Sequence, residues 1–424
     1  MQHEFRKTIF PNGLRVLTER HEGVPSATIG VWIDAGAVFE TEKERGLSHL
    51  LEHMVFKGTA RRSVQQIAAA MDSIGGQFNA FTERELVCFH ARVLSEQAPL
   101  ALELLCDFIT CPTLDADDLE IERGVILEEI KSVEDSPEEM VEEVFQQTIW
   151  PNSAWGFPIL GAPENIAKFS ADDVRDYMNR HYTPRNVIVT AVGNVRHEEI
   201  VAQASDLLQG LPDGQSSARK RHVCPRAPRI VAHVAHHDRD TEQVHLICGT
   251  KGYDYRDPQR FAGWLLDIIL SGGYSSRLFQ EVREKRGLCY NIGSLSASYR
   301  KTGFWAIETS VEPEAAGKVL KLIGRELKKV KARGVTKTEL ERAKQMTRAN
   351  LLLAEESSSA QMNRIARNEF YYGRQRDTQE VLADVLQVTQ SDVQEAAIEL
   401  FNPDTMNLAA VGAVKESALT VEVA

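Results

Sequence analysis

The stretch Ser170-Ala-Asp-Asp-Val-Arg-Asp-Tyr-Met-Asn-Arg-His-Tyr-Thr-Pro-Arg-Asn-Val-Ile-Val-Thr-Ala-Val-Gly-Asn-Val195 decides the fold, because it aligns without gaps on residues 389–414. Asp, Val, Pro and a Val-Gly pair occupy matching positions in the two copies. Each copy predicts a capped helix, a turn that contains proline, and a buried strand ended by glycine. Two copies separated by half the chain therefore predict two similar domains in tandem.

The boundary between these domains is predicted at residues 209–229, which are rich in Gly, Pro, Ser and basic residues and lack apolar periodicity. This linker separates an N-terminal domain of residues 1–208 from a C-terminal domain of residues 230–424. Clustered strand patterns interleave with long amphipathic helical patterns in each half. We therefore expect an α+β fold in which each domain is a mostly antiparallel sheet with helices packed on one face.

Composition excludes several classes of protein. The chain has 424 residues, 43% hydrophobic and 26% charged, which is typical of a soluble globular protein. Its net charge of −12 argues against nucleic acid as a partner, since phosphate binding needs a basic surface. No apolar run is long enough to span a bilayer, and the N-terminus lacks the apolar core of a signal peptide. We therefore expect a cytoplasmic protein with no membrane partner.

A short helical pattern at residues 46–58 contains His49-Leu-Leu-Glu-His53. Positions i and i+4 lie one helical turn apart, about 6 Å between Cβ atoms, so both imidazoles can reach one metal ion. Glu52 lies between them and can act on a water molecule without binding the metal. A solvent-facing polar stripe is the alternative, but such a stripe favours Lys and Arg, and none lies between residues 47 and 56.

A catalytic zinc site needs a third protein ligand, and the helical pattern at residues 118–134 offers several carboxylates. Glu122 and Glu129 are seven residues apart and nearly in line, whereas Glu128 is rotated by about 100° from Glu129. This places Glu129 as the third ligand, with Glu122 behind it as an anchor for the ligands. An ordinary solvated acidic helix face is the alternative.

These motifs resemble those of the pitrilysin and insulinase superfamily of inverted-motif zinc peptidases. The helix at residues 46–58 resembles its His-x-x-Glu-His motif, and residues 122–129 resemble the motif that supplies the third ligand. The resemblance implies one Zn²⁺ per chain, with metal ligands His49, His53 and Glu129 and with catalytic residues Glu52 and Glu122. Residues 76–83 look like the family's edge strand, which implies substrate binding by backbone pairing at Asn79, Ala80 and Phe81.

In the second half, residues 272–290 are similar to the family's substrate-contacting segment. The resemblance implies that Arg283 and Tyr290 contact the substrate near the scissile carbonyl and serve in both catalysis and binding. Residues 264–268, near the place equivalent to the histidine motif, carry no metal-ligand pattern, as in the family's inactive repeat.

The resemblance is greatest to the short processing-peptidase-like members, which include the catalytic subunit of the mitochondrial processing peptidase and bacterial relatives. It implies a zinc-dependent metalloendopeptidase that cleaves peptides or unfolded, presequence-like segments. It also implies a homodimer, or a heterodimer with a related subunit, in which Arg283 and Tyr290 of one chain serve the zinc of the other. Two alternatives remain open: a catalytic chain that is active only with a separate partner, and a non-catalytic scaffold subunit.

Overall fold

A computed structural model describes residues 4–212 and 224–423, so residues 213–223 of the predicted linker lie outside the described residues. The strands are β1 (Glu4–Ile9), β2 (Arg15–Arg20), β3 (Ser26–Ile33), β4 (Gln77–Thr82), β5 (Val87–Leu94), β6 (Val187–Gly193), β7 (Val234–His237), β8 (Val244–Lys251), β9 (Cys289–Ser298), β10 (Gly303–Val311) and β11 (Asn407–Val411). The helices are α1 (Leu47–Met54), α2 (Val64–Ile74), α3 (Ala98–Thr110), α4 (Ala116–Asp135), α5 (Pro137–Ile149), α6 (Pro163–Ile166), α7 (Ala171–His181), α8 (His197–Leu207), α9 (Arg260–Ser271), α10 (Ala316–Arg333), α11 (Lys337–Ala354), α12 (Ser358–Tyr372), α13 (Thr378–Gln387) and α14 (Gln390–Leu400).

The two copies of the sequence repeat fold alike. Ser170 caps α7 and Thr389 caps α14, and each hydroxyl accepts the backbone N–H three residues later. The buried strands β6 and β11 follow, and the glycines at their ends, Gly193 and Gly412, have φ angles of 126° and 133°. Because a Cβ at Gly193 would lie 2.2 Å from a carbonyl oxygen of β3, both the backbone conformation and the space require glycine. The predicted helix, turn and strand are confirmed in both copies.

Each copy of the repeat contributes to a separate sheet. The first sheet has the strand order β1-β2-β6-β3-β5-β4, and the second has the order β7-β11-β8-β10-β9. All pairs are antiparallel except β2 with β6 and β7 with β11. The predicted α+β class with mostly antiparallel sheets is therefore confirmed. Strands β4 and β9 occupy equivalent edge positions in the two sheets.

The chain folds into two compact units, and neither unit is a single continuous stretch of the sequence. The first comprises Met1–Ile130, Pro158–Pro225 and Ala354–Gln375, and the second comprises Lys131–Phe157, Arg226–Leu353 and Arg376–Ala424. Helix α5, from the N-terminal half of the chain, thus packs on the second sheet. Helix α12, from the C-terminal half, packs on the first sheet. Glycines in the sheets allow these two helices to pack closely. A Cβ at Gly30 would lie 2.7 Å from the Met362 sulfur of α12, and a Cβ at Gly249 would lie 2.7 Å from the Phe145 ring of α5.

Apolar side chains of the central strands fill the core on the other face of each sheet. In the first unit Ile29 and Val31 of β3 belong to one buried cluster with Leu50 of α1 and Leu105 of α3. The corresponding cluster of the second unit joins strands β8 and β10 to α9, α10 and α14. Within the part of the chain that the structure describes, no helix is both long and apolar enough to cross a membrane.

Candidate metal centre

Helix α1 carries the histidine motif, and buried contacts fix its position. Leu47, Leu50, Leu51 and Met54 are buried, so the face that bears the motif points away from the core. The helix starts after Gly46, whose φ is 98° and whose Cα leaves no space for a side chain beside Gly161. The buried Glu40 carboxylate accepts the backbone N–H groups of Gly46, at 2.8 Å, and of Ser48, at 2.7 Å. Glu40 therefore satisfies amides that the first turn of a helix otherwise leaves unpaired.

Three ligand atoms converge above this face. The Nε2 atom of His49 lies 3.8 Å from Oε2 of Glu129, and Nε2 of His53 lies 3.7 Å from Oε1 of the same carboxylate. The three potential ligand atoms lie within 4.8 Å of one another. Among residues 4–212 and 224–423, these three residues form the one group of His, Cys, Asp or Glu side chains with that spacing. Two imidazoles and one carboxylate are a common catalytic zinc ligand set.

A second carboxylate orients one of these ligands. Glu122 is buried, and its Oε2 lies 2.9 Å from Nδ1 of His53, while its Oε1 lies 2.5 Å from Nζ of Lys57. An Nδ1–H that donates to Glu122 leaves the Nε2 lone pair of His53 facing Glu129 and His49. Carboxylates in this position fix the tautomer of a metal-binding histidine and raise its basicity.

The electrostatics of the cluster also fit a cation. Burial and the neighbouring His53 lower the pKa of His49 to about 4, so its imidazole is neutral at neutral pH, as a metal ligand must be. Oε2 of Glu129 is buried and makes no hydrogen bond to any described residue. A buried carboxylate oxygen without a partner is costly, and a bound cation satisfies it. The residues present therefore fit a zinc ion.

Glu52 lies on the same face of α1, beside an open depression. Its Oε2 accepts a hydrogen bond of 2.5 Å from Oγ1 of Thr82, the last residue of β4. Burial raises the pKa of Glu52, and the hydrogen bond from Thr82 opposes that rise. The depression is lined by Glu52, His53, Phe56, Lys57, Phe78, Asn79, Ala80 and Glu122. A half-buried carboxylate with a raised pKa suits the exchange of protons with a bound molecule.

The predicted substrate strand is the edge of the first sheet. Strand β4 pairs with β5 on one side, with Asn79 opposite His90, and is last in the strand order. Asn79 is exposed, whereas Ala80 and Phe81 are half-buried. The Phe81 ring packs edge-on against Trp32, with ring centres 5.7 Å apart. A sheet edge beside the metal centre can pair with an extended peptide.

The other two predicted site residues belong to the second unit. Arg283 lies in a π-helical turn, Phe279–Glu284, and its guanidinium lies over the rings of Phe279, at 4.6 Å, and Tyr290, at 5.3 Å. Tyr290, near the start of β9, is 84% exposed. The structure thus brings Arg283 and Tyr290 together, while the ligands, Glu52 and the edge strand come together in the first unit. A common site for the two groups stays a prediction.

Three contacts of the metal centre were not predicted from the sequence. Glu40 caps the helix of the histidine motif, Lys57 pairs with Glu122, and Thr82 donates to Glu52. A sequence signal existed for Lys57, because in the helical pattern predicted over residues 46–58 it lies four residues after His53 and so on the same side. Thr82 is 30 residues from Glu52, and no pattern in the sequence connects the two residues.

Two histidines on one helix, a glutamate on a second helix and a further glutamate beside them are typical of metal-dependent hydrolases. Residues 15–163 match the family described as Insulinase (Peptidase family M16), and residues 168–347 match the Peptidase M16 inactive domain. A zinc protease of Streptomyces coelicolor is 37% identical over 414 residues, which cover 97% of this chain and 90% of that protein. The zinc protease YmxG of Bacillus subtilis is 35% identical over 393 residues, 93% of this chain and 95% of the relative. The chain therefore belongs to the insulinase family, peptidase family M16.

Solved structures show the same fold. A crystal structure described as a peptidase M16 inactive domain from Pseudomonas fluorescens superposes with a TM-score of 0.89 at 21% identity, covering 99% of each chain. A protease from Helicobacter pylori superposes with a TM-score of 0.88 at 22% identity, covering 97% of this chain and all of the other. The predicted membership of the pitrilysin and insulinase superfamily is confirmed.

Proposed function

We propose that this protein is a zinc-dependent metalloendopeptidase in which His49, His53 and Glu129 hold one Zn²⁺ per chain. The observation that carries this proposal is the convergence of three ligand atoms within 4.8 Å, with Glu52 on the same helix face. Bound zinc supplies a Lewis acid that polarises a peptide carbonyl and increases the acidity of water. The names of the relatives, which are called zinc proteases, support this assignment.

Glu52 is the general base of the proposed reaction. It accepts a proton from the water molecule that attacks the peptide carbonyl and then delivers that proton to the leaving nitrogen. Its raised pKa makes the first transfer easier than it would be for a fully solvated carboxylate, because a more basic carboxylate takes the proton more readily. Glu122 acts through His53, whose ring it orients.

An extended peptide adds to the free side of β4 in this proposal. Backbone groups of Asn79, Ala80 and Phe81 provide the hydrogen bonds, which accept many sequences because they involve no substrate side chain. Such a site suits unfolded or presequence-like segments better than folded proteins. Peptides are therefore the proposed substrates.

Arg283 and Tyr290 complete the proposed site from a second chain. A guanidinium and a phenol can both donate hydrogen bonds to the negative charge that develops on the carbonyl oxygen. This arrangement requires a homodimer, or a heterodimer with a related subunit. The family resemblance supports it.

Cleavage of a mixed pool of unstructured peptides, followed by mass spectrometry, tests the proposal. Wild type should cleave, and Glu52→Gln should bind zinc but lose cleavage by at least about 100-fold, since general base catalysis contributes that much or more. Glu96→Gln makes the same chemical change at an exposed position of the first unit and should leave cleavage unchanged. Cleavage by Glu52→Gln at the wild-type rate contradicts the role of Glu52. Zinc-loaded wild type that cleaves only after a related subunit is added identifies a chain dependent on its partner, and one that never cleaves indicates a scaffold.

A further inference from the structure

Thr82 links the edge strand to the proposed general base. Its Oγ1 donates to Oε2 of Glu52 at 2.5 Å, and its backbone is held in the sheet opposite Val87. The next residue, Glu83, donates its N–H to the carbonyl of Leu86 at 2.7 Å, which closes the turn between β4 and β5. The hydroxyl is therefore carried by a backbone that is hydrogen-bonded on both sides of the contact.

A contact of this kind fixes the orientation of the Glu52 carboxylate. A glutamate side chain has three rotatable bonds, and the carboxylate loses rotational freedom when it is fixed in one orientation. A general base must keep one oxygen within hydrogen-bond reach of the proton that it takes. Because Thr82 occupies Oε2, the Oε1 atom remains available to a water molecule.

The position of Thr82 in the strand adds a second consequence. Thr82 directly follows the segment Asn79–Phe81, to which the peptide is proposed to pair. The strand that aligns the peptide backbone therefore also holds the carboxylate that acts on it. Errors of about 1 Å in such alignment are costly for catalysis.

We propose that Thr82 is a positioning residue that fixes the Glu52 carboxylate relative to the edge strand on which the peptide lies. This inference rests on the proposed peptidase function and assigns a role to a residue outside the metal ligands. Thr82 acts through Glu52, whose carboxylate its hydroxyl contacts. Its effect is on turnover and not on zinc binding or peptide affinity.

Two substitutions at this position separate the hydroxyl from the shape of the side chain. Thr82→Val keeps the branched shape and removes the donor, whereas Thr82→Ser keeps the donor. Thr110→Val is the matched control, because it removes a half-buried threonine hydroxyl that donates to a carbonyl of its own helix, α3. Wild type and Glu52→Gln are measured beside the three variants.

Loss of one hydrogen bond to a charged group predicts that Thr82→Val lowers kcat by about 10- to 100-fold. KM, zinc content and Tm should stay close to wild type, and Thr82→Ser should recover kcat to within about threefold. Wild-type kcat in Thr82→Val overturns the proposal, as does an equal loss of kcat in Thr82→Val and Thr82→Ser. If Glu52→Gln cleaves like wild type, the proposed function fails instead.

Crystal structures of the Thr82 variants provide a readout that does not depend on activity. In Thr82→Val the Glu52 carboxylate should leave the orientation seen here or occupy several orientations. In Thr82→Ser it should keep its contact with the hydroxyl. A Glu52 carboxylate that is unmoved in Thr82→Val refutes the positioning role even if no peptide is cleaved.

Discussion

Substitution of Glu122 by Gln isolates the contribution of the second carboxylate to zinc binding. The Glu122 side chain bridges Nδ1 of His53, at 2.9 Å, and Nζ of Lys57, at 2.5 Å. Gln keeps the size and one acceptor oxygen but removes the negative charge. The lone acceptor must then serve either the imidazole or the ammonium group, and the other donor loses its partner.

The magnitude follows from the roles of the two contacts. Replacement of a residue that orients a metal-binding histidine typically costs 10- to 100-fold in metal affinity, or about 1.4 to 2.7 kcal/mol. The burial of Glu122, which is 4% exposed, argues for the upper part of this range, because water cannot replace the lost partner. We therefore expect the zinc Kd of Glu122→Gln to rise by about 30- to 100-fold.

Competition with a chromophoric chelator measures the zinc Kd of wild type and variant directly. Glu128→Gln is the control, because it makes the same change on the same helix at an exposed position outside the cluster. It should bind zinc with wild-type affinity. A Glu122→Gln affinity within twofold of wild type, or an equal loss in Glu128→Gln, refutes the role assigned to Glu122.

Three further predictions concern pH, packing and assembly. Burial raises the pKa of Glu40 to about 7, so the folded chain holds a proton that the unfolded chain releases near pH 4.5. The free energy of unfolding of wild type relative to Glu40→Gln should therefore fall by about 2.5 kcal/mol as pH rises from 5 to 8, measured by urea denaturation, and a flat difference contradicts the assignment. Leu50→Ala should lower the free energy of unfolding by about 2–5 kcal/mol because Leu50 is fully buried, and a loss below 1 kcal/mol would show that the helix packs loosely. Mixing Glu52→Gln chains with Arg283→Ala chains should restore part of the cleavage through hybrid dimers, and complete failure to complement argues against a site shared between chains.

Part of the signal for the cluster of His49, His53 and Glu129 is local in the sequence. His49 and His53 lie on one helix, and Glu122 and Glu129 on another, so helical periodicity alone places each pair on one face. The expectation that the two helices lie side by side rested on the family resemblance and not on periodicity. The structure brings His49, His53 and Glu129 within 4.8 Å of one another.

The exchange of α5 and α12 between the two units could not be predicted from the repeat. An amphipathic helix shows in its sequence which face is buried, but it does not show which sheet covers that face. The contacts that hold α12 to the first sheet are long-range: Glu369 pairs with Lys7, at 2.6 Å, and with Arg15, at 3.5 Å. The hydrogen bond between Thr82 and Glu52 is also long-range, which is why it became visible only in the folded chain.

Anomalous diffraction at the zinc absorption edge, on crystals of the zinc-loaded wild-type protein, tests the central claim most directly. The account predicts one strong peak per chain, about 2.0–2.2 Å from Nε2 of His49, Nε2 of His53 and a carboxylate oxygen of Glu129. A peak elsewhere in the chain, or none at this cluster, contradicts the claim that these three side chains form the metal centre.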